Sequence, residues 1–375
     1  MDSAAIPFHL HDLGKIELEA LEVCFDGPML TTGPATLQSE CDFAAILGAQ
    51  HCIAVSSCTA ALHLALEAVG VGPGDEVLVP GVTFAASALA VLHAGATPVL
   101  VDVRDEDGLL DLDLLQIAMS SRTKAVIPVH LYGQMVDMVK LSEFADRYDL
   151  TVIEDAAHAI EAERAGVRPG QLSAGAAFSF YATKNLTCGE GGAFVTSHAE
   201  LSHRLRLART HGMTKTAADR LHEGFQPWDI PVPGWKYNMD DIHASILAVQ
   251  LPRLPSNWAR RRVLATRYRE RFGGNEAIRL PHLNEGTSAL HLYPIRVAAD
   301  VRPLVMRELQ KAGIGFSVHY PPLRDLGAFK SLRQVPHGLP VSTNIGMTTI
   351  SLPLYPRLTE AQVDRVAEAV LSVVN

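Results

Sequence analysis

At 375 residues the chain is long enough to bury a large core, in one large domain plus a smaller one. A net charge of −9, without a long run of either sign, argues against nucleic acid or an anionic membrane as a partner and favours a small molecule. The five cysteines form no CxxC pair and the sixteen histidines include no HExxH motif, which argues against a disulfide framework and a metal site.

The N-terminal stretch MDSAAIPFHLHDLGKIELEALE carries acids where a signal peptide has basic and then apolar residues, so we expect a cytoplasmic protein. Residues 77–101 contain no Asp, Glu, Lys or Arg and could span a bilayer by length alone. Pro80, Gly81, Gly95 and Pro98 divide this stretch into a strand, an alanine-rich helix and a second strand. That pattern indicates a buried βαβ unit and not a membrane segment.

The segment after residue 50 predicts an anion site. A β-like run, CIAV, is followed by the small hydroxyl residues Ser56, Ser57 and Thr59 and by an apolar helix from about Ala60 to Val69. Free N–H groups and the dipole at a helix N-terminus favour an anion such as phosphate. The same residues would equally serve as an ordinary helix cap through Ser57 or Thr59, so the pattern alone leaves both explanations open.

The βαβ pattern repeats through the strand-like runs TPVLVDV, KAVIPVHLYG and LTVIEDAAHA, with helices expected over 111–119 and 139–148. This alternation predicts an α/β fold with a mostly parallel sheet, which binds ligands beyond the carboxyl ends of its strands.

Polar residues stand at those strand ends. His130 and Tyr132 follow one strand, and Glu154, Asp155 and His158 follow the next. A buried carboxylate is too costly to leave unpaired, so Asp155 should meet a cation or several hydrogen-bond donors. Capping the next helix is the alternative role for this residue.

Lys184 stands between an aromatic strand and a glycine-rich turn in AAFSFYATKNLTCGEGGAF, with no other basic residue in that stretch. Its isolation suggests partial burial, which would lower its pKa from a reference of about 10.4 toward neutrality. A neutral amine can attack a carbonyl or accept a proton. A surface lysine beside a hairpin is the alternative explanation for this stretch on its own.

The second half of the sequence predicts two arginine-rich helices and a smaller domain. In SHAELSHRLRLARTHG we expect Arg204, Arg206 and Arg209 to face solvent, and in NWARRRVLATRYRERF the arginines predict a solvated face or a subunit contact. Beyond residue 280, the strands ALHLYPIRV and IGFSVHYPP, the helix RPLVMRELQKAG and a C-terminal helix predict a small α+β domain. We place the large domain at residues 1–255 and the small one at 256–375.

Seven motifs carry a resemblance to a known family: VSSCTAALHLAL, GPGDEVLVPGVTFAA, AVIPVHLYGQ, VIEDAAHAI, FSFYATKNLTCGEGGAFVTS, KYNMDDIHASI and IGFSVHYPPL. Together, and in this order, they resemble the DegT/DnrJ/EryC1/StrS family of pyridoxal-phosphate sugar aminotransferases over nearly the whole chain. The resemblance implies fold type I, the aspartate aminotransferase fold, with a large mostly parallel-sheet domain and a small α+β C-terminal domain.

The resemblance also implies roles for individual residues. Lys184 would bind pyridoxal 5′-phosphate covalently and move a proton, and Asp155 would keep the pyridine nitrogen protonated. The remaining cofactor contacts would be the phosphate ligands Thr59, Ser179 and the backbone at Cys58 and Ala60, the stacking ring of Phe84, and His158, which stands where most of the family has glutamine against the phenolic oxygen.

The implied reaction transfers the amino group of L-glutamate, which leaves as 2-oxoglutarate, to a nucleotide-linked keto sugar. The implied assembly is a homodimer in which the KYN loop completes the neighbouring site. Because KYN replaces the usual NYR, either Lys236 or Asn238 could reach the neighbouring phosphate, and we favour Asn238. The expected substrate contacts are Tyr181, His211, Lys236, Tyr237, His319 and Tyr320.

The variants His158 and KYN occur together in the branch of the family that makes 4-amino-4-deoxy-arabinose, which favours a uridine-diphosphate sugar aminated at C4. Tyr181, where that branch has histidine, and Cys58, where the phosphate turn usually has glycine or alanine, depart from it. A 3-keto sugar, an aminocyclitol or a dehydration reaction are therefore alternatives. Deoxygenases of the family carry histidine in place of the lysine, and the intact Lys184 and Asp155 argue against a non-catalytic protein.

Overall fold

The structure, a computed structural model, describes residues 5–223, 227–283 and 285–374. The α-helices in chain order are α1 (Lys15–Asp26), α2 (Pro34–Leu47), α3 (Cys58–Ala68), α4 (Ala86–His93), α5 (Leu115–Ala118), α6 (Met138–Tyr148), α7 (Ala199–Ala208), α8 (Ala217–Glu223), α9 (Asp241–Gln250), α10 (Leu254–Phe272), α11 (Arg302–Lys311), α12 (Pro340–Thr348) and α13 (Glu360–Val374). The strands are β1 (His51–Val55), β2 (Glu76–Pro80), β3 (Thr97–Val101), β4 (Thr123–Val126), β5 (Thr151–Asp155), β6 (Gly175–Ser179), β7 (Gly192–Thr196), β8 (Tyr293–Arg296) and β9 (Thr349–Leu352).

Seven of the described strands form one sheet in the order β1-β7-β6-β5-β4-β2-β3. Strands β2 to β6 pair in parallel, and β7 runs antiparallel to both of its neighbours. The strands are almost wholly buried, as expected for short apolar runs covered on both faces. Asp155 and Ser179, the last residues of β5 and β6, therefore lie at the same edge of the sheet, and the predicted α/β architecture is confirmed.

The uncharged stretch over residues 77–101 forms β2, α4 and β3, as its prolines and glycines predict. Within the part of the chain that the structure describes, no helix is long and apolar enough to cross a membrane.

The described residues bury two separate apolar clusters. The first fills the space between the large sheet and its helices and includes the fully buried Phe43, Leu64 and Phe178. The second packs α10, α11 and α13 onto the two-stranded sheet of β8 and β9. Ile6 belongs to the second cluster and pairs with the chain at residues 313–315, whereas the segment 323–345 adds side chains to the first. The division at residue 255 stays a proposal. Ile6 and the segment 323–345 each pack with the cluster on the other side of that division.

The expectation that the three arginines at α7 face solvent is wrong for Arg209, which is buried at the end of this helix, and holds only in part for the half-exposed Arg206. Arg204 is exposed, but Nη1 of Arg206 lies 2.6 Å from one carboxylate oxygen of Glu40, and Arg209 donates to the other. Arg209 also donates to the carbonyl oxygen of Ala54 at 2.8 Å, and both it and Glu40 are buried. The two guanidinium groups therefore neutralise a carboxylate enclosed between α2, β1 and α7.

On α10 the prediction of solvated arginines is wrong for Arg261. This side chain is almost completely buried and its Nη1 donates to the carbonyl oxygen of Leu354 at 2.7 Å. Burial lowers the pKa of the Arg261 guanidinium to about 10, and the charge of Glu161 opposes that shift.

Three predicted elements differ in extent. The helix expected over 111–119 is a 3₁₀ turn, Leu112–Leu114, followed by the single helical turn α5. The strand expected in KAVIPVHLYG ends at Val126, and the chain then turns tightly through Tyr132, whose φ is 61°. The strand expected in IGFSVHYPP is wrong, because this segment makes only isolated bridges, at Ile314 and Ser317.

Candidate active site

A cavity of about 580 Å³ opens at the carboxyl edge of the large sheet, which is the edge where parallel sheets bind ligands. It brings together ten of the predicted site residues, namely Cys58, Thr59, Phe84, Asp155, His158, Ser179, Tyr181, Lys184, His319 and Tyr320. Residues from both predicted domains therefore face one space that is large enough for a cofactor and a small substrate.

Lys184 follows β6 in a tight turn, in which its own N–H donates to the carbonyl oxygen of Tyr181 at 2.9 Å. Its side chain is half-buried and lines the cavity. Burial lowers the pKa of the ammonium group to about 8, although the negative charge of Asp155 opposes this shift. With this pKa about a tenth of Lys184 is a neutral amine at pH 7, and the shift has the direction expected from the sequence.

Asp155 ends β5 with a buried carboxylate that meets several donors. Oδ2 accepts from Oγ of Ser87 at 2.7 Å, and Oδ1 accepts from the N–H of Ala157 at 3.1 Å. The thiol of Cys58 lies 3.9 Å from Oδ1, and the nearby carboxylate adds to burial in raising the pKa of that thiol well above its usual range. Among the described residues, no Lys or Arg forms an ion pair with Asp155 within 4 Å, so the carboxylate can accept a cationic partner from the cavity.

The turn between β1 and α3 presents a helix N-terminus to the same cavity. Oγ of Ser57 caps the helix by accepting from the N–H of Ala60 at 3.1 Å, so the capping role is real. In the described part of the chain, the N–H groups of Cys58 and Thr59 have no hydrogen-bond partner, and both residues line the cavity. An anion is favoured there by these donors and by the helix dipole.

Ala60 itself departs from the expectation, because its N–H is used by the Ser57 cap and Ala60 does not line the cavity. Gly192, in the glycine-rich turn after Lys184, packs directly on this helix start. A Cβ atom at Gly192 would lie 2.4 Å from the carbonyl carbon of Ser57 and 2.5 Å from the nitrogen of Cys58. Only glycine fits at this position, which explains one glycine of the GEGG turn.

His158 is buried with both ring nitrogens in contact with the protein. Nδ1 accepts from the N–H of Tyr132 at 3.3 Å, and Nε2 lies 3.2 Å from the hydroxyl oxygen of Tyr320. Burial, and then the charge of Lys184, lower the pKa of His158 well below its usual value. The imidazole is therefore neutral, with its proton on Nε2.

Aromatic rings form another wall of the cavity. Phe84 and Tyr181 line it with 60% and 47% of their surfaces exposed, which leaves ring faces free for a ligand. The ring of Tyr320 lies 5.8 Å from that of Phe84, and the hydroxyl of Tyr132 donates to the carbonyl oxygen of His319 at 2.5 Å. This last bond connects the turn after β4 to the segment that carries His319 and Tyr320.

Four further predicted residues lie outside this cavity of their own chain. The N–H of His211 donates to the carbonyl oxygen of Trp235, and the ring of Tyr237 stacks on Trp235 at 5.6 Å. Lys236 donates to Oδ1 of Asn238, whose Nδ2 donates to Oγ1 of Thr32 at 2.8 Å. The structure therefore does not bring His211, Lys236, Tyr237 or Asn238 to the Lys184 cavity within one chain.

Sequence reasoning missed other residues of the site. Phe8 lines the cavity from the N-terminal segment, where its ring lies 5.6 Å from that of His319. Ser87, which binds Asp155, carries the one hydroxyl in the apolar helix α4. A buried hydroxyl needs a partner, so that signal was readable in the sequence. No local pattern marked Phe8. Within the described residues, no group of three or more His, Cys, Asp or Glu side chains could hold a metal ion.

Comparison with known proteins gives similarity over nearly the whole chain. A family model described as the DegT/DnrJ/EryC1/StrS aminotransferase family matches residues 11–371. The spore coat polysaccharide biosynthesis protein SpsC of Bacillus subtilis (strain 168) is 38% identical over 378 residues, covering 99% of this chain and 97% of SpsC. The matched range includes every site residue predicted from the sequence.

Solved structures are similar to the same extent. DesV from S. venezuelae, in complex with a ketimine intermediate, is 36% identical with a TM-score of 0.89, over 96% of this chain and 94% of DesV. The PMP form of Spr1654 from Streptococcus pneumoniae is 33% identical with a TM-score of 0.92, over 98% of this chain and 99% of that one.

Proposed function

Since the chain belongs to the DegT/DnrJ/EryC1/StrS aminotransferase family, we propose that it transfers the amino group of L-glutamate to C4 of a 4-keto sugar linked to uridine diphosphate. The protein is a pyridoxal-phosphate-dependent sugar aminotransferase with fold type I. The amino donor, the nucleotide and the ring carbon form the proposed part.

The cavity fits pyridoxal phosphate. Asp155 offers a buried carboxylate without an ion-pair partner among the described residues, and the N-terminus of α3 offers two free N–H groups for the phosphate. Lys184, with its lowered pKa, lines the same space. The observation that carries the proposal is this combination of an amine, a carboxylate and an anion site in one cavity.

When bound, the cofactor supplies an electron sink that stabilises negative charge on the substrate carbon. Asp155 would hold the proton of the pyridine nitrogen, and Cys58, Thr59 and Ser179 would bind the phosphate. Nζ of Lys184 would first bind the cofactor and then, as a free amine, accept and return the proton that moves during amino transfer. The Nε2–H group of His158 would donate to the phenolic oxygen.

The aromatic wall would orient the ligands and exclude water. Phe84 would lie on the cofactor ring, and Tyr181, His319 and Tyr320 would contact the sugar. The free ring faces of Phe84 and Tyr181 support these roles.

We propose a homodimer with shared sites. Lys236, Tyr237, Asn238 and His211 lie outside the cavity of their own chain, which supports a role for them in the cavity of a neighbouring subunit. Asn238 would there reach the cofactor phosphate, and Lys236 would meet the diphosphate of the substrate. The five unpaired cysteines support a reducing compartment such as the cytoplasm.

Single-turnover half-reactions test the substrate. Glutamate should convert the bound cofactor to pyridoxamine phosphate and release 2-oxoglutarate. A uridine-diphosphate 4-keto sugar should then restore the pyridoxal phosphate absorbance and yield an amino sugar nucleotide, whereas Lys184→Ala should give neither reaction. If only a 3-keto isomer restores the absorbance, the reaction class stands and the assignment to C4 is wrong; if no keto sugar nucleotide does so, the sugar assignment fails.

A further inference from the structure

Asn185, the residue after Lys184, joins three parts of the chain through one amide group. Its Nδ2 donates to the two carboxylate oxygens of Glu161, at 3.2 and 3.0 Å, and to the carbonyl oxygen of Ala289 at 2.8 Å. Its Oδ1 lies 3.1 Å from Nδ1 of His291. The amide therefore ties the lysine loop to the segment after β5 and to the segment before β8.

The chemistry of the neighbours fixes the orientation of this amide. The carbonyl oxygen of Ala289 can only accept, so the NH₂ group of Asn185 faces it and the carbonyl end faces His291. Burial raises the pKa of the neighbouring Glu161 carboxyl to about 7, and the Ala289 contact fixes the amide in either protonation state of Glu161. Because a carbonyl oxygen only accepts, Nδ1 of His291 carries a proton. Burial lowers the pKa of His291 well below its usual value, with smaller contributions from His158 and Lys184. His291 is therefore a neutral imidazole with its proton on Nδ1.

His291 packs against His158, one of the two histidines that line the cavity. Their ring centroids lie 4.3 Å apart at a tilt of 40°, and both side chains are more than nine-tenths buried. His158 has the opposite tautomer, because its Nδ1 accepts from the N–H of Tyr132 and its proton is therefore on Nε2. Two neutral rings with opposite tautomers thus lie in contact behind the cavity.

We propose that Asn185 is a positioning residue that sets the tautomer of His291 and thereby fixes the ring against which His158 packs at the cofactor site. Ala289 keeps the amide in place, because turning it by 180° would set its carbonyl oxygen against another carbonyl oxygen. Without the amide, no contact among those described fixes the proton on Nδ1 of His291. The inference rests on the proposed function only in taking this cavity as the cofactor site.

The tautomers can be measured directly in the full-length holoenzyme labelled with ¹⁵N-histidine. Long-range ¹H–¹⁵N correlation spectra distinguish Nδ1–H, Nε2–H and the charged ring, and the variants His291→Gln and His158→Gln assign the signals. We expect Nδ1–H for His291 and Nε2–H for His158, both unchanged between about pH 6 and 8. An Nε2–H or charged His291 overturns the proposal. No substrate is needed, so this failure is separate from failure of the proposed function.

Asn185→Leu removes both ends of the amide in a side chain of similar size. His291 should then lose its fixed Nδ1–H tautomer, and the dissociation constant for pyridoxal phosphate should rise about 10-fold. The matched control is Asn344→Leu at an exposed position on α12, which should change that constant less than about twofold. An unchanged tautomer and affinity in Asn185→Leu would show that the amide is not a positioning group. If Asn185→Leu does not fold, the tautomers of the unaltered protein decide the question.

Discussion

At Lys184, burial and the Asp155 carboxylate act in opposite directions on one amine. Burial disfavours the ammonium form and dominates, while the negative charge of Asp155 partly offsets it, and the pKa settles at about 8. A lysine buried more deeply and without a carboxylate partner would have a still lower pKa. It would then be a weaker base and would accept a proton from the substrate carbon less readily. The carboxylate would thus serve both the cofactor and the lysine.

This balance predicts the pH dependence of labelling at Lys184. In the cofactor-free protein, reductive alkylation of Lys184 by an aldehyde should reach half its maximum near pH 8, because only the neutral amine reacts. Asp155→Asn removes the charge that raises the pKa, so its midpoint should fall below pH 8. Peptide mass spectrometry measures the label. The control is a model peptide with one lysine, whose labelling should reach half its maximum at about pH 10.4. A midpoint at Lys184 equal to that of the peptide would contradict the effect of burial.

At the scale of elements, the parallel strands were readable because short β-branched runs alternate with helices, and the site residues at their ends follow from that topology. The burial of Arg209 was not readable. Its partner Glu40 lies 169 residues away in the chain, and a pattern on one helix cannot reveal a carboxylate on another. The segment IGFSVHYPP has the composition of a strand, but in the structure it forms only isolated bridges with other segments.

The ion pair of Glu40 and Arg209 joins α2 to α7 and predicts a large effect on stability. Arg209→Met leaves the buried Glu40 carboxylate with only the half-exposed Arg206 as a cationic partner, and should lower the free energy of unfolding by about 3 kcal/mol. Arg204→Met, on the exposed face of the same helix, should cost less than about 1 kcal/mol. Denaturant unfolding of the two variants measures the difference, and equal losses would mean that burial of the pair is unimportant.

In the molecule as a whole, the contributions of two distant segments to the site could not be predicted from the sequence. Phe8 and His291 reach the site from the N-terminus and from the segment before β8, and no motif marks either contact. The proposed cofactor contacts at the ends of β5 and β6 could be predicted from the sequence, because the strand ends and the resemblance both indicated them. The residues of the KYN loop and His211 lie outside the cavity of their own chain, which makes assembly part of the functional question.

Shared sites predict complementation between inactive variants. Lys184→Ala removes the amine of one site, and Asn238→Ala would remove the proposed loop contact to the neighbouring site, so each proposed homodimer should be inactive or nearly so. Mixed dimers would contain one intact site, and random exchange of equal amounts should restore about a quarter of the unaltered activity. If exchange is demonstrated by mass spectrometry but activity does not return, each subunit carries a complete site.

Lys184 is the residue proposed to bind pyridoxal phosphate. Borohydride reduction of the holoenzyme, followed by proteolysis and mass spectrometry, tests this proposal in one measurement. We predict a stable phosphopyridoxyl adduct on the peptide that contains Lys184 and loss of the adduct in Lys184→Ala. An adduct on a different lysine, with Lys184 unmodified, would contradict the account.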